Sequence, residues 1–389
     1  MSSRDLSNGR PVRVAIVGVG SQGMGFLHAL RLVPEQFEVV GVADVRPGQL
    51  EQAARRYEVT RTTSNWREFL EDRTVDLMYF GTPGDQHSEN ALAALAAGKH
   101  VYIEKPVTCN TNDARQALEL AREHQLTVMV CMNVRQYWPF PIIKRFVDDG
   151  LLGDIFFAQQ DYLHDCRYVL MPDSPRFWST NERPINFHRE SAIHPLDTLV
   201  WLLGPIKRVW AQQVEGIVAQ RNPGLLRPSD CVSLELEFCR PNMIGRSLTN
   251  VGYIGYYAFP YYSISLYGTE GTALPQGIFL GRDNNQDYEQ VHDPERQVLI
   301  QYTQELHDQL GITSDIPIVP YEYQPGDPSH VACHLRLFKL LLPALRRRQP
   351  VDPGLGSNAR LLAVLEAAQR SLETAQFEVV DYTGLETVS

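Results

Sequence analysis

The segment VRVAIVGVGSQGMGFLHALRLV, residues 12–33, constrains the chain most. A short apolar run from Val12 to Val17 meets glycines at Gly18, Gly20 and Gly23, and a helical pattern follows at once. Glycines at this spacing permit a tight turn and close backbone approach. The helix they open offers free N–H groups to a pyrophosphate, with Ser21 and Gln22 in the turn itself. A second apolar run, FEVVGVAD, ends at Asp44, placed where a carboxylate can accept hydrogen bonds from an adenosine ribose. Strand, glycine turn, helix and acid together predict a dinucleotide cofactor. A carboxylate at position 44 repels a 2'-phosphate and favours NAD, while Arg46 could pair with that phosphate, so NADP stays possible.

The alternation continues. VDLMYFGTP, KHVYIEKP and LTVMVCMN read as apolar strands ending in polar or proline-containing turns. Between them QHSENALAALAAG and TNDARQALELAREHQ carry apolar residues at helical spacing. This predicts a parallel, doubly wound sheet over residues 11–133, preceded by a tail at 1–10. Ligands of such sheets bind beyond the carboxyl ends of the strands, where Thr82, Pro83, Glu104, Lys105 and Asn133 fall.

With 389 residues the chain is long enough for two domains, each with its own core. A formal charge of −10 argues against a nucleic-acid or acidic-lipid surface. The basic run Arg346 to Arg348 closes an apolar helical stretch, where cations suit the negative helix end. No apolar run approaches a membrane span and the first residues are polar, so a cytoplasmic location is expected. Six scattered cysteines, Cys109, Cys131, Cys166, Cys231, Cys239 and Cys333, predict reduced, mostly buried thiols with neither a disulfide framework nor a zinc site.

The succession GVGSQG, TPGDQH, ALAAGKHVYIEKP and HPLDTLVWLLG resembles the Gfo/Idh/MocA family of oxidoreductases over most of the chain. The resemblance implies that Lys105 reaches the substrate hydroxyl and the nicotinamide ribose, that the Lys105–Pro106 bond is cis, and that His87 lies among the cofactor contacts. It also assigns an acid, a histidine and an aspartate on one helix to Glu190, His194 and Asp197. Here Glu190 stands where relatives carry aspartate, and NFHRE replaces a glycine-rich stretch. Proline is tolerated in a first helical turn, so Pro195 suggests a helix starting near Ser191 as N-cap. Such a start would put His194 near the positive helix end and keep its imidazole neutral.

From Val134 the pattern changes. GDIFFAQQDYL, KRVWAQQVEGIV, CVSLELEFC, GRSLTNVGYI and YSISLYGTEGTA read as strands with few helices between them, and helices are expected over 328–348 and 357–374. The second domain, 134–389, is thus an α+β unit with a large, mostly antiparallel open sheet. Its aromatic run YIGYYAFPYYSISLY is too apolar to leave exposed, and the resemblance implies that one face of this sheet packs against another subunit, as a homodimer or homotetramer. A long irregular stretch over 165–189, with Arg167, Arg176, Trp178, Arg183 and His188, is expected to wall the substrate pocket, chiefly through Arg176 and Trp178. His164, Asp165, His188 and His194 match no standard ligand spacing, so no metal is expected.

These features imply an NAD(P)-dependent oxidoreductase acting on a hydroxyl of a sugar, glycoside or cyclitol. Substrate contacts are expected from Lys105, Glu190, His194 and Asp197, with Lys105 or His194 as the base and Glu190 tuning the histidine. Two alternatives remain at this level: redox-neutral glycoside cleavage with the same cofactor, and a non-catalytic cofactor-sensing regulator on the same fold.

Overall fold

In the computed structural model of the protein the described residues are 6–137, 140–166, 185–186, 188–221, 223, 226–227, 229–252, 262–274, 277–281, 288–291 and 328–385. They fall into two compact units.

The first unit opens with β1 (Val12–Val17), α1 (Ser21–Arg31), β2 (Phe37–Ala43), α2 (Pro47–Tyr57), β3 (Thr62–Thr63), α3 (Glu68–Glu71), β4 (Leu77–Phe80), α4 (His87–Ala96), β5 (His100–Ile103), α5 (Thr111–Glu123) and β6 (Val128–Val130). The strands form one sheet in the order β3-β2-β1-β4-β5-β6, and each described pair runs parallel. Helices must cross over between parallel neighbours and so cover both faces. That is why β4 and β5 are buried at every position. The order reverses between β1 and β4, and this is where a doubly wound sheet leaves a crevice at its carboxyl edge.

The second unit contains α6 (Phe140–Asp148), β7 (Ile155–Leu163), β8 (Ile185–Asn186), α7 (Ile193–Leu203), β9 (Ile206–Val214), α8 (Ile217–Arg221), β10 (Leu226–Arg227), β11 (Cys231–Phe238), β12 (Ile244–Asn250), β13 (Tyr262–Gly268), β14 (Gly271–Leu274), β15 (Gly277–Gly281) and β16 (Tyr288–Val291). After these come α9 (Pro328–Arg347), α10 (Leu355–Thr374) and β17 (Glu378–Val379). A nine-stranded sheet runs β16-β15-β14-β13-β7-β12-β11-β9-β17, antiparallel except where β12 pairs β7. Strict alternation in CVSLELEF puts Val232, Leu234, Leu236 and Phe238 on the buried face, as expected for a sheet with one open side. Arg346 and Arg347 occupy the last turn of α9.

Two expectations need correction. The single boundary at 133/134 does not match the packing. α9 and the start of α10 as far as Ala359 belong to the first unit, because Val331, Leu335, Leu337, Phe338, Leu341, Leu342 and Leu345 of α9 join its core. Phe338 and His334 of that helix pack around Phe26 of α1 and Tyr102 of β5, with the Phe26 ring stacked 3.9 Å from Tyr79. All six cysteines are free thiols, yet only Cys131 and Cys333 are buried, while Cys239 is exposed. Most of the aromatic run over 253–267 and most of 165–189, including Arg167, Arg176, Trp178 and Arg183, lie outside the described residues.

Burial in the first unit has a pH signature. His100 at the start of β5 is 2% exposed, and its Nδ1 accepts a hydrogen bond from the Thr127 N–H at 2.9 Å. Desolvation, helped by the Arg348 charge and opposed by Asp76, pushes its pKa from 6.5 down to about 4. Between those values the unfolded chain binds more protons than the folded one, so acid favours unfolding. Stability is therefore full above the unfolded pKa of 6.5 and falls as pH drops toward about 4. At about 1.4 kcal/mol per pKa unit the whole window is worth roughly 3 kcal/mol. Urea unfolding across this window should show a steeper loss in the native protein than in His100→Gln; equal slopes would remove His100 as the cause.

Candidate functional site: a dinucleotide turn and two groups of polar side chains

The glycines of the first turn divide by task. Gly18 adopts φ +83°, a left-handed conformation that L side chains rarely take, and a Cβ there would lie 2.7 Å from the Gly81 carbonyl carbon. A Cβ on Gly23 would lie 1.9 Å from the Gly18 carbonyl oxygen. Both positions are closed by the protein's own backbone. Gly20 differs. It caps α1 with φ −69°, and a Cβ there would meet only the Arg46 guanidinium, 3.5 Å away. Nothing internal requires a glycine at position 20, so its missing side chain serves whatever approaches from outside. The N–H groups of Ser21 and Gln22 open α1 beside it, and the N-cap makes no side-chain bond. A cleft of about 290 Å³ also borders Gly20, Ser21 and Gln22, with His28, Gln52 and Arg56 further along its wall.

Asp44 follows β2, 8% exposed. Its Oδ2 accepts from the Val19 N–H at 3.0 Å and Arg46 Nη2 at 3.1 Å, and its Oδ1 from the Arg46 N–H at 2.9 Å and Nε at 3.0 Å. A carboxylate oxygen takes about two such bonds, so Asp44 is filled by its own chain. Asp44 and Arg46, read from sequence as competing signals for two cofactors, form one ion pair that also braces the glycine turn.

At the other strand ends the positions are distinct. Thr82 Oγ1 bonds Asn90 Oδ1 at 2.6 Å, and Pro83 leads into a short turn over Gly84–Gln86. His87, expected among the cofactor contacts, is 1% exposed, with Nδ1 2.5 Å from the Pro106 carbonyl and Nε2 2.9 Å from the Thr82 carbonyl. It clamps two loops together. Lys105 follows β5 and is half-buried, the Lys105–Pro106 bond is cis as the resemblance implies, and Val107 N–H is held by Asn358 Oδ1 at 2.8 Å. Glu104, expected at the same rim, turns its carboxylate to the hydroxyl of Tyr79, a wholly buried residue, at 3.1 Å. Asn133 begins a 3-10 turn to Gln136.

In the second unit Glu190 and His194 stand on one helical run, but not as a uniform α-helix. A π-turn over His188–Ala192 precedes α7, and Ala192 at the junction is αR with no side-chain cap. Ser191 is thus inside the run and caps nothing. The reason is Pro195. It has no N–H for the Ser191 carbonyl and its ring crowds that position, so the preceding turn widens. Because helical backbone precedes His194, the argument that a free helix end keeps its imidazole neutral loses its basis. His194 is 7% exposed and Asp197 0% exposed, so Asp197 lies in the interior beside it on α7. The His194 ring lies 5.8 Å from that of Tyr162, whose hydroxyl sits 2.7 Å from His164 Nδ1. Sequence analysis named His164 only as a metal candidate and did not pair it with Tyr162, although it directly follows β7 two residues after Tyr162, a spacing that puts both on one side of an extended chain.

Residues 12–132 match the model of an oxidoreductase family with an NAD-binding Rossmann fold, GFO_IDH_MocA. A levoglucosan dehydrogenase of Pseudarthrobacter phenanthrenivorans is 26% identical over 207 residues, 51% of this chain and 53% of that protein. An inositol 2-dehydrogenase/D-chiro-inositol 3-dehydrogenase of Lactiplantibacillus plantarum is 24% identical over 200 residues, 51% of this chain and 54% of that protein. The matched segments thus span about half the length of these relatives. A solved levoglucosan dehydrogenase in complex with NADH superposes with TM-score 0.77 at 19% identity, over 96% of this chain and 100% of that one. Residues 12–132 thus have the NAD-binding Rossmann fold of the Gfo/Idh/MocA oxidoreductases.

The glycine geometry gives a paired expectation. Gly18→Ala should destabilise the protein, because the added methyl meets backbone and the backbone angle is unfavourable, by about 1–3 kcal/mol. Gly20→Ala should leave the melting temperature nearly unchanged but weaken NADH binding, read by fluorescence titration, by at least about 10-fold. If Gly20→Ala bound NADH as the native protein does, the pyrophosphate would not lie on this turn.

Proposed function

We propose that the protein is an NAD-dependent oxidoreductase that oxidises a hydroxyl of a sugar, glycoside or cyclitol. The observation that carries this reading is Gly20, a turn position kept open toward solvent at the mouth of α1, in a chain that also bears Lys105 directly after β5. A nicotinamide held at this turn would supply the hydride acceptor. Lys105 holds the substrate oxygen and stabilises its developing negative charge, His194 takes the hydroxyl proton, and Glu190 orients or tunes that histidine. Asp44 receives the adenosine ribose once Arg46 yields part of its pairing; the same arginine would have to turn outward for NADP. The named activities of the levoglucosan and inositol relatives support the substrate class.

The open face of the nine-stranded sheet carries Val214, Ile244 and Tyr267, all exposed, which supports a homodimer or homotetramer formed there. Six free thiols suit the reducing cytoplasm. Among the described residues no helix is long and apolar enough to cross a membrane.

A second reading has its own support. A glycosyl hydrolase family 109 protein of Streptomyces coelicolor is 31% identical over 187 residues, 43% of this chain and 39% of that protein. On this reading the same cofactor would serve redox-neutral glycoside cleavage.

Incubating the protein with NAD and levoglucosan, inositols, free sugars and aryl glycosides, while following reduced-nicotinamide absorbance, separates the two. Accumulation of NADH with one substrate class is expected. Lys105→Ala and His194→Asn should each lower kcat/KM by about 100-fold or more while NADH binding persists. Release of aglycone with no net NADH would replace the dehydrogenase reading by the cleavage reading. Cofactor binding with neither product would leave a sensor.

A further inference from the structure

Three side chains of zinc-binding type meet in the first unit although nothing in their sequence spacing announces it. Glu104 follows β5, Cys131 follows β6, and His334 projects from α9; one donor atom from each lies within 4.8 Å of the others. β5 and β6 are paired neighbours, with the Cys131 N–H bonded to the Ile103 carbonyl at 2.8 Å, so two adjacent strand ends present the carboxylate and the thiol side by side. Cys131 is 3% exposed and His334 0%, whereas Glu104 is half-buried and gives a cation a way in.

We propose that Glu104, Cys131 and His334 form a binding site for a zinc-class divalent cation, independent of the redox reading above. Zinc takes Cys, His and carboxylate ligands at about 2.0–2.3 Å, which puts ligand atoms roughly 3.3–3.8 Å apart in a tetrahedron, so the cluster closes on an ion with side-chain shifts of about an ångström. A thiolate in the set selects zinc, cobalt or a similar soft ion over magnesium or calcium. All three side chains are held by tyrosine hydroxyls: that of Tyr102 sits 2.8 Å from His334 Nδ1 and 3.8 Å from Cys131 Sγ, and that of Tyr79 donates to Glu104 at 3.1 Å. Outer hydrogen bonds of this kind fix ligand direction in metal sites. Charge fits as well. When the cation binds, Cys131 gives its proton to solvent, and thiolate plus carboxylate then balance the double positive charge.

The full-length protein, stripped with a chelator and titrated with cobalt(II), tests this directly. A near-UV thiolate-to-cobalt band with tetrahedral visible absorption should saturate near one equivalent and be displaced by zinc. Cys131→Ser should abolish the thiolate band, His334→Gln should weaken binding by at least about 10-fold, and Tyr102→Phe by about 10–100-fold. If Cys131→Ser does not fold, Cys131→Ala and His334→Gln carry the comparison, with NADH binding as the check of the folded state. Absence of a saturable thiolate band, or a band unchanged in the Cys131 and His334 variants, overturns the site and leaves the three side chains as a hydrogen-bonded core network.

Discussion

The first unit is organised by the contact of two backbones, β1 where it turns at Gly18 and β4 where it ends at Gly81. A Cβ on Gly18 would meet Gly81, and one on Gly81 would lie 3.0 Å from the Gly18 carbonyl oxygen, so each strand end occupies the space a side chain would need on the other. The Gly81 N–H bonded to the Val17 carbonyl at 2.8 Å holds this approach, while the Gly18 N–H bonded to the Ala43 carbonyl at 2.8 Å ties the same turn to β2. Gly23 then presses α1 onto the same turn. The crevice at the reversal of strand order, the start of α1 and the position of Asp44 all depend on this approach, and none would keep its place if either strand end moved outward.

The reading of residues 12–133 from sequence succeeded because its signals are local. Glycine spacing, apolar strands of a few residues and helical periodicity each report on neighbours within about a dozen positions. What sequence hid was decided by contacts between distant segments. His87 sits at the mouth of a loop, a natural cofactor position, yet its ring is committed to two carbonyls, one of which belongs to Pro106. Glu104 stands in a triplet that invites a rim role, and its partner is Tyr79 inside the core. Neither partner can be inferred from spacing. The π-turn before His194 is an intermediate case: proline at 195 signalled trouble for a helix, but whether the chain would start there or widen before it depended on the packing of the run that precedes it.

Both units resolve part of their buried charge by pairing. In the first, buried charge and polarity are resolved by pairing: Asp44 with Arg46 and the Val19 N–H, Asp76 with Arg10 and the Arg13 N–H, Lys99 with the carbonyls of Asp72 and Val75. In the second, Asp230 does similar work for backbone, accepting from the N–H groups of Gly216, Val218 and Ala219 to cap α8. The Gln160 amide is wholly buried on β7, and Ser247 beside it on β12 is almost so, and neither side chain has a hydrogen-bond partner among the described residues. Such pairs cost stability and are tolerated where a sheet serves something besides packing.

The place of α9 bears on how the molecule is made. The β-strands of the first unit are complete by Val130, but the apolar face that Leu335, Phe338, Leu341 and Leu345 cover belongs to a helix nearly two hundred residues further on. A ribosome therefore releases the nucleotide-binding sheet long before the chain that finishes it. During that interval Phe26, Phe37 and Tyr102 lack a neighbour they later pack against. Synthesis at about 5–20 residues per second makes the interval some tens of seconds, long enough for a chaperone to take the place that α9 will fill.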